Sequence, residues 1–348
     1  MTNKVMSWME GFKTPVRKNR RPTDVSNLQT PIKIPASPFL QQIAHGTGVH
    51  ILSLERSPKV GFVRSPWAIK KRNTKLTKDL EYDKRLQSEA DLLKKLNHPN
   101  IVGFRAFTLS SKGDPCLAME QLDISLGDLI EDRVDRGDDI FAAKDILHVG
   151  YEIAKALEYL HHTIHILHGD IKSYNVLVSK NLKKVKLCDF GVSVPLTETL
   201  EMDKSQNFIY IGTECWNPPE VLFEEGPITN KCDIWAYGLV IWEMLALSAP
   251  FINSENDSND TIDLISTSEK SMSLTISNDD NDVSMDDSDI FVKEIKSTCG
   301  IRPPLPAIDI GAEYAEVLDV FYTCTIADYK LRPSSKGLVM YFSDVMSS

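Results

Sequence analysis

Six cysteines in 348 residues, none of them in a C-x-x-C pair, offer neither a zinc knuckle nor a disulfide framework. They stand at positions 116, 188, 215, 232, 299 and 324, and the expectation is reduced thiols in a cytoplasmic or nuclear protein. No apolar run reaches the roughly 20 residues of a membrane span. The longest, from Gly238 to Phe251, is broken by Glu243. The opening residues Met1-Thr2-Asn3-Lys4-Val5-Met6-Ser7-Trp8 hold no apolar stretch of the kind a secretory leader needs. No membrane partner is expected. Internal repeats are lacking as well.

A basic folded face is also missing. The net charge of -10 is uneven: residues 1–40 carry +5, residues 252–287 carry -9, and the rest only -6. A duplex-binding protein needs a basic patch on its folded body, so no nucleic-acid partner is expected. Hydrophobic content of 42% and charged content of 25% are what a soluble globular chain with a sizeable core carries.

Residues 1–38, rich in Pro, Arg, Lys and Asn, read as a disordered basic arm. They hold three Ser/Thr-Pro pairs: Thr14-Pro15, Thr30-Pro31 and Ser37-Pro38. Residues 39–120 read as a strand-rich lobe of short strands with one helix. Ile43–Leu54 forms a hairpin around Gly46 and Gly48, and Ser65–Lys71 a strand. Asp83–Leu96 forms a helix with Leu86, Ala90, Leu93 and Leu96 on one face. Two further strands follow, at Phe104–Leu109 and Cys116–Glu120. Residues 121–348 read as a larger, mainly helical lobe. Ile146, Val149, Ile153, Leu157 and Leu160 recur at helical spacing. Short strands are expected at Val176–Val178 and Val185–Cys188, and Cys232–Leu247 as an all-round apolar helix. Residues 252–287, dense in Ser, Asn and Asp, read as a flexible acidic insertion. The fold class expected is α+β, two-lobed, with a cleft between.

Several signatures occur in one order. Ala68-Ile69-Lys70 lies on a strand and Glu89 on the following helix. His168-Gly169-Asp170-Ile171-Lys172-Ser173-Tyr174-Asn175 precedes Asp189-Phe190-Gly191. Gly212-Thr213-Glu214-Cys215-Trp216-Asn217-Pro218-Pro219-Glu220, Asp233-Ile234-Trp235-Ala236-Tyr237-Gly238 and Arg332-Pro333 complete the series. The series resembles the eukaryotic protein kinases over about residues 40–345.

That resemblance implies ATP and Mg²⁺ as cofactors and protein hydroxyls as acceptors. A Lys on a rigid strand supplies a fixed cation for the α- and β-phosphates, and Glu89 steadies its long stem. Asp170 is the expected base or orienter of the attacking hydroxyl, and Lys172 neutralises charge on the transferred group. Asn175 and Asp189 offer hard oxygen ligands to Mg²⁺. Nucleotide contacts are implied at Ala44, His45, Gly46, Thr47, Gly48, Val49, Ile51, Ala68, Lys70, Met119, Glu120 and Leu122. His168 reads as a packed structural residue. Lys172 two residues after Asp170, together with Thr213, resembles the Ser/Thr branch. Arg332 is expected to pair with Glu220.

Two departures stand out. The glycine-rich motif falls on Ala44-His45-Gly46-Thr47-Gly48-Val49-His50-Ile51, where only Gly46 matches a motif glycine. Gly169 stands where the family usually has an Arg that grips a phosphorylated activation loop, so weak dependence on that phosphorylation is expected. The degraded glycine motif keeps an ATP-binding pseudokinase or scaffold in MAP kinase signalling as the alternative. An interaction protein acting through its arm and insertion is a third reading.

Further segments, including Gly11-Phe12-Lys13-Thr14-Pro15 and Ser65-Pro66-Trp67-Ala68, resemble a mitosis-associated branch grouped with the MAP kinase kinases. The branch implies a MAP kinase as one substrate. It also implies phosphorylation of Thr14 and Thr30 by an upstream proline-directed mitotic kinase, because a base follows each Pro shortly. Its usual C-terminal PDZ ligand ends Thr-x-Val. This chain ends Met346-Ser347-Ser348, without the apolar side chain a PDZ pocket buries, so no PDZ partner is expected.

Overall fold

The computed structural model describes residues 40–46, 49–55, 65–72, 80–110, 113–205, 208–224, 226–250, 299–308 and 310–347. The basic arm with Thr14 and Thr30, the acidic insertion, and Thr47 and Gly48 lie outside them. The described residues all belong to one compact unit.

Strands β1 (Leu40–Gly46), β2 (Val49–Leu54), β3 (Trp67–Arg72), β4 (Phe104–Leu109) and β5 (Pro115–Glu120) make one antiparallel sheet in the order β1-β2-β3-β5-β4. Strand β3 is central, and its Ala68, Ile69 and Lys70 are all buried. Lys70 pairs with Ile51 on one side and Leu117 on the other. A cation is thereby fixed in the middle of an apolar sheet.

Helix α1 (Leu80–Leu93) packs on this sheet through Leu86, Ala90 and Leu93. It starts three residues earlier than the Asp83–Leu96 expectation and ends three earlier. Leu96 extends the apolar spacing and is buried, but it lies just past the turn that ends the helix. Periodicity reports burial, and burial continues after the helical hydrogen bonds stop. The segment after α1 then docks on the larger part of the molecule. Val102 N–H donates to the Leu187 carbonyl at 2.9 Å, and Leu187 N–H returns to Asn100 at 2.9 Å.

The remainder is mainly helical: α2 (Leu126–Arg136), α3 (Ala143–Glu158), α4 (Pro219–Leu222), α5 (Lys231–Ala246), α6 (Ala315–Cys324) and α7 (Ser335–Val345). Ser125 caps α2 by accepting the Asp128 N–H, and Gly137 closes it in the left-handed conformation at φ 66°. Helix α3 runs on into a π-helical turn, Tyr159–Ile164, which carries Leu160 into the core. Helix α5 is buried from Cys232 through Leu245 on every side. Such a helix sits at the centre of a domain, not on its surface. Short strands β6 (Ile124–Ser125), β8 (Val176–Val178) and β9 (Val185–Leu187) form one small sheet, and β7 (Ile166–Leu167) with β10 (Val194–Pro195) another. The result is the two-lobed α+β arrangement expected. Among the described residues no helix is long and apolar enough to cross a membrane.

Candidate active site

Lys70 reaches from β3 between two carboxylates. Its Nζ is 2.9 Å from Glu89 Oε2 on α1 and 2.7 Å from Asp189 Oδ1 just beyond β9. Burial opposes the ammonium's charge, but the two acids outweigh it and hold its pKa well above the usual lysine value. Burial also opposes ionisation of Asp189. The Lys70 ammonium and the hydrogen bonds from Lys70 and Gly191 prevail, and the carboxyl falls to about 2. Glu89 is more deeply enclosed, and burial lifts it to about 7 against the pull of Lys70. Gly191 leaves room beside them. A Cβ there would stand 3.2 Å from Asp189 Oδ1 and 3.7 Å from Glu89 Oε2, wedged into the triad.

The loop between β7 and β8 presents a second charged group. Asp170 Oδ1 accepts the Thr213 hydroxyl at 2.5 Å. Its Oδ2 lies 3.1 Å from Lys172 Nζ and accepts Asn175 Nδ2 at 2.8 Å. Lys172 Nζ also donates to Thr213 Oγ1 at 2.8 Å, closing a triangle. Asn175 Nδ2 spends its other hydrogen on the Asp170 carbonyl at 2.7 Å, which turns the Asn175 carbonyl oxygen the opposite way. His168 is wholly buried, its ring 4.9 Å from that of Phe190 and tilted 56° to it. Its Nδ1 accepts the Asp170 N–H at 3.3 Å and its Nε2 faces the Cys188 carbonyl at 3.1 Å, so it packs and orients.

Two acids from α5 hold this loop from below. Asp233 accepts the backbone N–H groups of His168 and Gly169 at 2.8 and 2.9 Å, with His161 Nε2 at 2.9 Å. Gly169 adopts φ 79°, a region costly for an L side chain. A Cβ there would lie 3.3 Å from the Val192 carbonyl. The glycine is therefore a backbone requirement as well as a missing arginine. Glu243 accepts Ser173 Oγ at 2.5 Å, Ser173 N–H at 3.3 Å and Trp216 Nε1 at 3.1 Å. It joins the Asp170 loop to the turn after Thr213. In the sequence Glu243 registers only as a break in an apolar run, and that lone acid in an apolar helix is the one signal that could have found it.

Burial pushes the Glu243 carboxyl up to about 7, against its hydrogen bonds. The unfolded chain ionises the acid near 4.5, so between the two values the native state holds the extra proton. Its contribution to stability is complete below about 4.5 and is lost as the pH rises through 7. Glu243→Gln keeps the shape: the amide oxygen can accept from Trp216 and Ser173 N–H, and the amide NH₂ can donate to Ser173 Oγ. The variant is expected to gain stability relative to the parent between pH 5 and pH 8. A Tm difference identical at both pH values would contradict this.

The remaining expected residues are placed as follows. Ala68 and Met119 are buried and paired across β3 and β5, and Ile51 is half-buried on β2. Ala44, His45, Gly46 and Val49 belong to the β1–β2 hairpin by backbone pairing. Leu122 is half-buried in the segment after β5. The Glu120 carboxylate is engaged with Gly103 N–H at 3.1 Å and Lys186 Nζ at 3.2 Å, and its own N–H donates to the Gly103 carbonyl at 2.8 Å. Far from these, Arg332 and Glu220 pair as expected, at 2.7 and 2.8 Å.

The donor set suits a hard divalent cation. Asp189 offers a half-exposed carboxylate and Asn175 a carbonyl oxygen. Among the described residues no three His, Cys, Asp or Glu side chains gather as a closed metal cage. Mg²⁺ is usually held this way, by one or two protein oxygens plus substrate phosphates.

The protein kinase domain family model matches residues 63–340. The lymphokine-activated killer T-cell-originated protein kinase of Homo sapiens is 41% identical over 337 residues, 96% of this chain and 98% of that protein. Mitogen-activated protein kinase kinase kinase 13 of Mus musculus is 36% identical over 170 residues, 48% of this chain but 16% of that protein. Mitogen-activated protein kinase kinase kinase zak-1 of Caenorhabditis elegans is 31% identical over 176 residues, 48% of this chain and 22% of its own length.

Proposed function

The chain belongs to the protein kinase family, and from that premise we propose that it is a serine/threonine kinase moving the γ-phosphate of Mg·ATP to protein hydroxyls. As a protein kinase it is a transferase that uses ATP and a divalent cation on protein substrates. The observation that carries the finer reading is the closed triangle of Asp170, Lys172 and Thr213 beside Asn175.

Bound Mg·ATP supplies the transferable phosphoryl group and screens its oxygens. Asp170 receives the proton of the attacking hydroxyl at a carboxylate oxygen, with Thr213 and Asn175 holding that carboxylate in one orientation. Lys172, shared between Asp170 and Thr213, places a positive charge where negative charge accumulates. The Lys70 ammonium has three donors, more than Glu89 and Asp189 use, and offers the remainder to phosphate oxygens. Asn175 and Asp189 would hold the cation. Glu89 is a positioning residue for Lys70.

The proposed regulation is phosphorylation of Thr14 and Thr30 in the basic arm by a proline-directed mitotic kinase, supported by the base that follows each Thr-Pro pair shortly. A MAP kinase is the proposed substrate, supported by similarity to kinases with MAP kinase cascade names. The proposed location is cytoplasmic or nuclear.

The test uses the full chain, labelled ATP, Mg²⁺ and a generic protein acceptor. Phosphoserine and phosphothreonine are expected in the hydrolysed product, and Asp189→Asn is expected to lower the signal at least a hundredfold. Phosphotyrosine alone, or equal signals from the two proteins, would overturn the reading.

A further inference from the structure

Cys215 and Cys299 are 84 residues apart in the chain, yet their Sγ atoms are 2.9 Å apart in the interior. A disulfide bond is about 2.05 Å long, so the two sulfurs stand less than an ångström from bonding distance. Both ends of the pair are fixed by their surroundings. Cys215 is the middle residue of the 3₁₀ turn Glu214–Trp216, whose cap is Thr213 and whose Trp216 is held by Glu243. Cys299 is followed by Gly300 at φ 81°, where a Cβ would lie 3.0 Å from Leu222 Cδ1 and 3.4 Å from Pro219 Cα. The chain is thus pressed against α4 immediately after the thiol.

Other readings of the pair are weaker. Two thiols are too few for a tetrahedral zinc site, and among the described residues no third ligand joins them.

We propose that Cys215 and Cys299 are an oxidation site, joined by peroxide into an intramolecular disulfide that ties the Thr213 turn to the chain at residue 299 and slows phosphoryl transfer. One thiol, losing its proton, attacks a peroxide oxygen. The O–O bond breaks, a sulfenic acid forms, and the departing hydroxide takes up the proton as water. The second thiol attacks the sulfenic sulfur, the S–O bond breaks, and a second water leaves as the S–S bond forms. Two thiols lose two electrons and one peroxide gains two. Closing the gap draws the turn that carries Thr213, whose hydroxyl is 2.5 Å from Asp170 and 2.8 Å from Lys172. A displacement of about 1 Å at such a site can cost ~100-fold in rate. The effect on turnover rests on the kinase reading above; the bond does not.

The full-length chain, reduced, is exposed to hydrogen peroxide, alkylated, digested and mapped by mass spectrometry, with phosphorylation of a generic protein measured in parallel. Expected are a cross-linked Cys215–Cys299 peptide and a fall in rate of about tenfold or more, both reversed by dithiothreitol. Cys299→Ser is expected to keep the basal rate and to be insensitive to peroxide; Cys299→Ala serves if the serine variant misfolds. Absence of the cross-linked peptide would overturn the site. A cross-link with an unchanged rate would overturn its effect on turnover. A cross-link in a chain that shows no phosphorylation even when reduced would support the site and count against the kinase reading.

Discussion

Asp170→Asn is expected to lower kcat about a thousandfold with little change in fold. General acid–base groups contribute roughly 10²–10⁴, and Asn cannot accept the proton. The amide can still fit. With its oxygen placed where Oδ2 now accepts Asn175 and lies beside Lys172, its NH₂ faces the Thr213 hydroxyl, which can rotate to accept it. The loop therefore keeps its hydrogen bonds while losing a negative charge. Single-turnover phosphorylation separates this loss from any change in nucleotide affinity, and a melting curve checks the fold. A rate within tenfold of the parent would mean that Asp170 is not the proton acceptor.

The second large effect is on stability. Arg332 is fully buried and spends all five of its N–H groups. Two go to Glu220 at 2.7 and 2.8 Å, and three to the carbonyls of Ile326, Ala327 and Lys231 at 2.7, 2.9 and 3.1 Å. Its guanidinium also lies 4.9 Å from the Trp235 ring. Arg332→Met fills similar space and leaves the Glu220 carboxylate buried with no cation, only the weak Cys232 Sγ donor at 3.9 Å. Breaking a buried pair from one side costs about 3–5 kcal/mol, a large share of a typical 5–15 kcal/mol. Urea unfolding should show the loss as a lower midpoint. Pairing the change with Glu220→Gln should recover part of it, because the stranded charge is then removed. A single-variant loss below about 1 kcal/mol, the range of exposed pairs, would refute this account.

The charged core of the site was legible because its parts are read by residue type and spacing. Lys70, Glu89 and Asp189 do meet, as do Asp170, Lys172, Asn175 and Thr213, and these groups come from five separate elements. The strands at Phe104–Leu109 and Val176–Val178 also stand where alternation and β-branching put them. The bounds of α1 were less legible, since Leu96 satisfies the helical spacing from the irregular segment beyond the helix. What could not be read was anything set by the third dimension alone. Glu243 was an interruption, the thiols of Cys215 and Cys299 were two among six scattered cysteines, and Gly169 was only an absent side chain. A positive φ, a sulfur contact across 84 residues and a buried acid shared by two loops leave no periodic trace.

The pairing of Glu220 with Arg332 has a consequence for how the protein is made. The two residues are 112 positions apart, and synthesis proceeds at about 5–20 residues per second, so the acid exists for roughly 6–20 s before its partner leaves the ribosome. During that interval the carboxylate has no cation to enter the interior with, and it stays in water. The Glu220–Arg332 pair therefore closes only after that interval, among the last contacts of the molecule to form.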